Sequence, residues 1–167
     1  IIKMQNYNHN MHYKLPINPS PNLPNSRSIN LYPSLCLFEG TNISVGRGTE
    51  YPFQQFGSPY LKSNYDFTPI SKKGSKKPKY QNEKCYGTDL RFQEDYLTEI
   101  NLRWLIESYE KSPNKDKFFN TFFDKLAGTD KLRIQIIERK SPKEIKLSWI
   151  EGLKKFKEIR QKYLLYK

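Results

Sequence analysis

Cysteine is scarce in this 167-residue chain: two residues exclude a disulfide-dense mini-fold. Long apolar runs are missing too, and no stretch approaches the roughly 20 consecutive residues that a membrane-spanning helix needs. Hydrophobic residues make up only 36%, but aromatics reach 14%, enough buried ring area to exclude a wholly disordered tail. Acids are the minority charge, 17 against 29 Lys and Arg, for a formal net charge of +12. Such a balance attracts phosphates, anionic lipid and other polyanions. Lysine supplies most of it, whereas base reading favours arginine forks, and no aromatic–arginine pattern interleaves the cations. The charge therefore reads as a solvated surface, and no nucleic-acid partner is expected. The chain starts at Ile1 and not at Met, and is expected to be a piece of a longer one. The missing signal peptide is then no guide to compartment.

The length suits one domain with a real core. Residues 1–25 carry little periodicity. Pro16, Pro19, Pro21 and Pro24 make the stretch to Asn25 an extended connector, leaving 26–167 as the folded unit. Ser26 to Glu39 predicts a helix or a helix with a break, capped by Ser26 or Ser28, with Pro33 marking a kink or a fresh start. Phe53–Phe56, Asp66–Ser71 and Lys84–Phe92 are strand candidates, and Lys72–Lys79 (KKGSKKPK) reads as a charged hairpin tip or mobile loop. Three helices are expected after that. Leu97–Tyr109 carries one apolar stripe, and Phe118–Leu126 forms a short helix stopped by Gly128. The third starts at a capping box of Ser141, Pro142 and Glu144 and runs Ile145, Trp149, Leu153, Phe156, Ile159, Tyr163. The fold class expected is α+β: a small, mostly antiparallel sheet between Phe53 and Phe92, packed against C-terminal helices, with the Glu39 loop at one edge.

One stretch stands apart, YPSLCLFEGTNISVGRGT over Tyr32–Thr49. A carboxylate, Glu39, closes an apolar run, and Asn42, Ser44, Arg47 and Thr49 follow within ten residues. Glycines at 40, 46 and 48 let the backbone approach a ligand. Amide, hydroxyl and guanidinium groups beside one proton donor suit a polar ligand such as a sugar acid. Spacing alone favours the plainer arrangement, in which Glu39 caps the turn or bridges to Arg47 and the glycines serve geometry only. A nucleotide loop is a poorer fit, since Gly46-Arg-Gly48 lacks a third glycine and no Lys-Ser/Thr pair follows.

With PSPNLP (Pro19–Pro24), YPFQQFGSP (Tyr51–Pro59), KCYGTDLR (Lys84–Arg91) and the closing RQKYLLY (Arg160–Tyr166), this stretch resembles the exo-β-N-acetylmuramidase (YbbC/NamZ-like) family of peptidoglycan turnover. The likeness runs in order from about Pro16 to Tyr166, and covers the C-terminal part of such proteins. It implies release of N-acetylmuramic acid from non-reducing ends of peptidoglycan fragments, with no metal or cofactor, by bacterial, exported or periplasmic enzymes. It also implies a Rossmann-like N-terminal domain that holds the main catalytic machinery and has no counterpart here. Glu39 falls at the family's motif position as a catalytic residue, and Asn42, Ser44, Arg47 and Thr49 as substrate-binding ones. Glycosidases pair two carboxyl groups, so this chain would hold half of the pair and is expected to be inactive alone. Its partners would be a peptidoglycan-derived glycan and the missing domain or a second copy. The other function class is a non-catalytic module that holds glycan or another polyanion through the same loop or the basic surface.

The remaining residues read more plainly. His9 and His12 have a metal-compatible spacing but no third ligand. Cys36 and Cys85 are two buried thiols or, in an exported protein, a bridge. Asp89 and Arg91 fall on one strand face and suggest an ion pair. Trp104 and Trp149 lie on apolar stripes as core residues.

Overall fold

The computed structural model describes residues 1–93 and 96–166. Helix α1, Ser26–Leu35, is capped by Asn25, whose side chain accepts from the Ser28 N–H while Ser28 Oγ accepts from the Asn25 N–H. The expected cap was Ser26 or Ser28. Ser28 instead closes the box from inside the helix. Pro33 sits in the last turn, and the chain tightens directly afterwards into a 3-10 turn, Cys36–Gly40. Leu31, Leu35 and Phe38 are thereby set in the core.

Three antiparallel strands form the sheet, β1 (Gln55–Ser58), β2 (Tyr65–Phe67) and β3 (Cys85–Asp89), in the order β1-β3-β2. Each expected strand exists with shorter or shifted bounds. Gly57 and Gly87 face one another across β1 and β3, where a Cβ on Gly87 would lie 1.9 Å from the Phe56 carbonyl oxygen. Only glycine allows that approach.

Six α-helices occur among the described residues, the later ones being α2 (Arg103–Lys111), α3 (Phe123–Ala127), α4 (Lys131–Ile137), α5 (Pro142–Ser148) and α6 (Ile150–Gln161). The architecture is α+β. Two expected helices begin late, because their first residues spend their backbone groups elsewhere. Leu97 exchanges both of its backbone bonds with the Asn30 amide. Phe118 and Asn120 pair with the backbone of Asn42 and Gly40. Gly128 ends α3 in the left-handed region as expected.

The Ser141 capping box is present, but the helix it starts breaks at Trp149. Ile145 is fully buried and Trp149 packs on the core, whereas α6 buries none of its residues. Leu153, Phe156 and Ile159 stay about half exposed. A regular apolar period marked a helix there but not its burial. No helix among the described residues is long and apolar enough to cross a membrane.

Candidate functional site

Glu39 projects from the 3-10 turn whose inner residue, Phe38, is fully buried. The next residues are pinned on several sides. Asn42 N–H donates to Phe118 O, Ser44 and Gly57 exchange both backbone bonds, and Phe53 N–H donates to Val45 O. Phe53 itself has φ +54, a left-handed backbone that costs a non-glycine residue about 1 kcal/mol or more. From this fixed base Gly46–Thr49 makes a turn with Gly46 and Gly48 at φ +73 and +83. A Cβ on Gly48 would meet the Ile70 carbonyl oxygen at 2.5 Å. The turn carries Arg47 back over Glu39, Nη1 to Oε1 at 2.6 Å, with side chains 39% and 24% exposed. Both are therefore reachable from solvent.

The pair opens on a cavity of about 470 Å3, lined also by Ser44, Lys76, Lys77 and Lys79. Among the described residues, four cations line it with one carboxylate. Lys79 is the unexpected member. Its ammonium donates to the carbonyls of Phe38, Thr41 and Ile43, gathering the Glu39 loop around one charge. Burial pushes this lysine down to about 8, with Glu39 pulling the other way. Tyr80, beside it at φ +59, donates to the Asn42 carbonyl at 2.6 Å.

Residues 30–166 match the family described as Exo-beta-N-acetylmuramidase NamZ, C-terminal. The chain is 32% identical over 197 aligned positions to the peptidoglycan beta-N-acetylmuramidase NamZ of Bacillus subtilis (strain 168), covering 99% of this chain and 45% of that protein. It is also similar to a crystal structure of a DUF1343 family protein from Bacteroides fragilis NCTC 9343, with TM-score 0.93 and 47% identity over 98% of this chain and 47% of that one. A second DUF1343 structure from the same organism, at 20% identity and TM-score 0.67 over 90% of this chain and 45% of that one, shares the fold. The chain belongs to the NamZ C-terminal family. It spans about half the length of the relatives it matches.

Within this NamZ C-terminal fold the five residues singled out from the sequence separate into two groups. Glu39, Ser44 and Arg47 line the cavity. Ser44 is buried, and its Oγ accepts from the Gly46 N–H, so it shapes the turn more than it faces solvent. Asn42 is turned aside, accepting from the Tyr60 hydroxyl at 2.5 Å. Thr49 donates to Gly46 O and accepts from Gln55 Nε2, both at 2.7 Å, and lines a different concavity. Lys79 went unnoticed in the sequence because it closes a run of five lysines over eight positions, and nothing local distinguishes the one that turns inward.

The other candidates resolve simply. Cys36 and Cys85 are free thiols, both pushed up by burial, Cys85 to about 12, which makes neither a ready nucleophile. Asp89 and Arg91 form an ion pair at 2.7 Å. Trp104 packs against Phe56, ring centres 6.0 Å apart. Among the described residues, no group of three or more His, Cys, Asp and Glu side chains could hold a metal ion.

Proposed function

We propose that this chain contributes one wall of a cleft for muramic-acid-containing glycans, within the peptidoglycan β-N-acetylmuramidase chemistry that its B. subtilis relative is named for. The observation that carries the reading is the reachable Glu39–Arg47 pair in a cavity where cations predominate. Muramic acid bears a lactyl carboxylate, and a guanidinium fork is the natural partner for it. Arg47 is already occupied by Glu39. A substrate carboxylate that takes Arg47 therefore releases Glu39, which becomes free to face the glycosidic bond only when the acidic sugar is seated.

Two-carboxylate hydrolysis needs a second acid or base. The Glu39 cavity supplies one carboxylate, so the chain alone is proposed to bind and not to cleave. The exposed apolar stripe of α6 supports a further surface, from another domain or a second copy, over part of this fold. Action outside the cytoplasm follows from the same proposed substrate. The test uses the purified chain with a chromogenic N-acetylmuramide and with N-acetylmuramic acid. Binding that Arg47→Ala abolishes, without release of the chromophore, is the expected result. Turnover that disappears in Glu39→Gln overturns the half-site reading. Intact binding in Arg47→Ala overturns the carboxylate contact and leaves a general polyanion-binding module, which the +12 charge would serve.

A further inference from the structure

A second concavity, of about 410 Å3, opens on the far side of the Gly46–Thr49 turn. The two hollows share a wall. The Gly48 carbonyl accepts from Ile70 N–H, and a Cβ on Gly48 would meet Ile70 on one side and Pro78 on the other. Ile70 lines the second hollow, and Pro78 the first. Their electrostatics differ sharply. Among the described residues, every cation lining the second hollow has an acidic partner: Arg91 grips Asp89 through Nε at 2.9 Å and Nη2 at 2.7 Å, and Lys72 pairs with Glu50. Asp66, also in its lining, pairs with Lys84 at 3.3 Å. A hollow balanced in this way has no spare charge for an anion.

What it offers instead is ring surface and fixed hydrogen-bonding groups. The Arg91 guanidinium lies 4.4 Å from the Tyr51 ring centre and 5.6 Å from that of Tyr65, so it braces both rings. Tyr51 remains 41% exposed. Tyr65 donates its hydroxyl to Gln55 Oε1, and Gln55 Nε2 donates to Thr49, a chain that locks the polar groups in place. Rigid aromatic faces with a few oriented polar groups are the equipment of a pocket for a neutral, polyhydroxylated ring.

We infer that the hollow bounded by Tyr51, Gln55, Tyr65 and Arg91 is a subsite for a neutral N-acetylhexosamine, beside the cationic cavity that takes the acidic sugar. The inference rests on the proposed function, and it extends that reading by matching two adjoining hollows to the two charge types of an alternating acidic and neutral glycan. Tyr51 stacks on the sugar face, with Arg91 holding the ring from behind. Arg91 acts through Tyr51 and is a positioning residue.

Two-dimensional NMR titration of the chain with N,N′-diacetylchitobiose, and separately with N-acetylmuramic acid, tests this. Chitobiose is expected to shift amides around Tyr51 and Gln55. Tyr51→Ala is expected to weaken chitobiose binding about fivefold while Tyr51→Phe preserves it. Neither variant is expected to move the affinity for N-acetylmuramic acid, which Arg47→Ala controls. Chitobiose that shifts nothing near Tyr51 at millimolar concentration, or binds Tyr51→Ala unchanged, overturns the subsite. N-acetylmuramic acid binding that survives in Arg47→Ala would instead count against the first cavity, so the two failures are separable. Tyr51 is half exposed, and an unchanged amide spectrum of the variant excludes unfolding as the cause.

Discussion

Arg47 reaches eight positions back along the chain to hold Glu39, and one hydrogen bond of 2.6 Å couples their fates. Glu39→Gln removes the internal competitor for the guanidinium. An exposed pair of this kind is worth up to about 1 kcal/mol, so N-acetylmuramic acid is expected to bind the variant up to about fivefold more tightly. Calorimetry reads this directly, and weaker binding contradicts the exchange of partners. Lys79 provides a test by pH. Its folded value of about 8 lies below the ordinary 10.5, because burial penalises the ammonium. Between those two pH values the unfolded chain retains a proton that the folded chain has lost. The lysine's cost is thus full below pH 8 and is relieved as pH rises toward 10.5. Urea unfolding of the wild type and Lys79→Met is expected to show their stability difference moving in favour of the wild type over this window, by on the order of 2 kcal/mol. A difference flat in pH contradicts the buried ammonium. Little of this was legible in the sequence. Glu39 and Arg47 were marked by a run of unusual residue types, but the lysine beneath them is distinguished only by long-range contacts with Phe38, Thr41 and Ile43.

Among the elements, local chemistry was readable where it is self-contained. Ser141, Pro142 and Glu144 start α5 because a capping box needs only its own four residues. Gly128 stops α3 for the same kind of reason. Boundaries failed where backbone groups are claimed from afar, as at Leu97 by Asn30 and at Phe118–Asn120 by the Glu39 loop. That second pairing ties the site to the helical half of the fold. Burial failed at α6, since a 3.6-residue period reports amphipathicity and not which surface answers it. Two truncations separate these cases. Phe118 is fully buried, and Phe118→Ala is expected to cost about 3–5 kcal/mol. Phe156, 57% exposed on α6, is expected to change stability by less than about 0.5 kcal/mol on the same truncation. Thermal or urea unfolding checks both. A large loss for Phe156→Ala would mean that α6 is packed in solution.

At the scale of the molecule, charge and shape are distributed unevenly. The sheet, α1 and α2–α5 make a core, and around the turn at Gly46–Thr49 they build two hollows of contrasting charge. The apolar side chains left uncovered lie mostly at the two ends of the chain, on Ile1, Ile2 and the α5–α6 region, and none lines the Glu39 cavity. Half of a cleft would show exposed apolar side chains flanking Glu39. Val45 and Ile43, the aliphatic residues that do line it, are buried. The exposed stripe and the site are thus separate features, and a covering surface on α6 need not touch Arg47. The family of the chain was legible because its motifs are contiguous in sequence. The arrangement of the two hollows was not, since it depends on Gly48 wedging between Ile70 and Pro78. The most direct test of the whole account is the amide shift map of the chain with N-acetylmuramic acid. Shifts confined to Glu39–Gly48 and Gly74–Lys79, and absent in Arg47→Ala, are expected. Shifts spread over the lysines of α5 and α6, surviving in that variant, would contradict it.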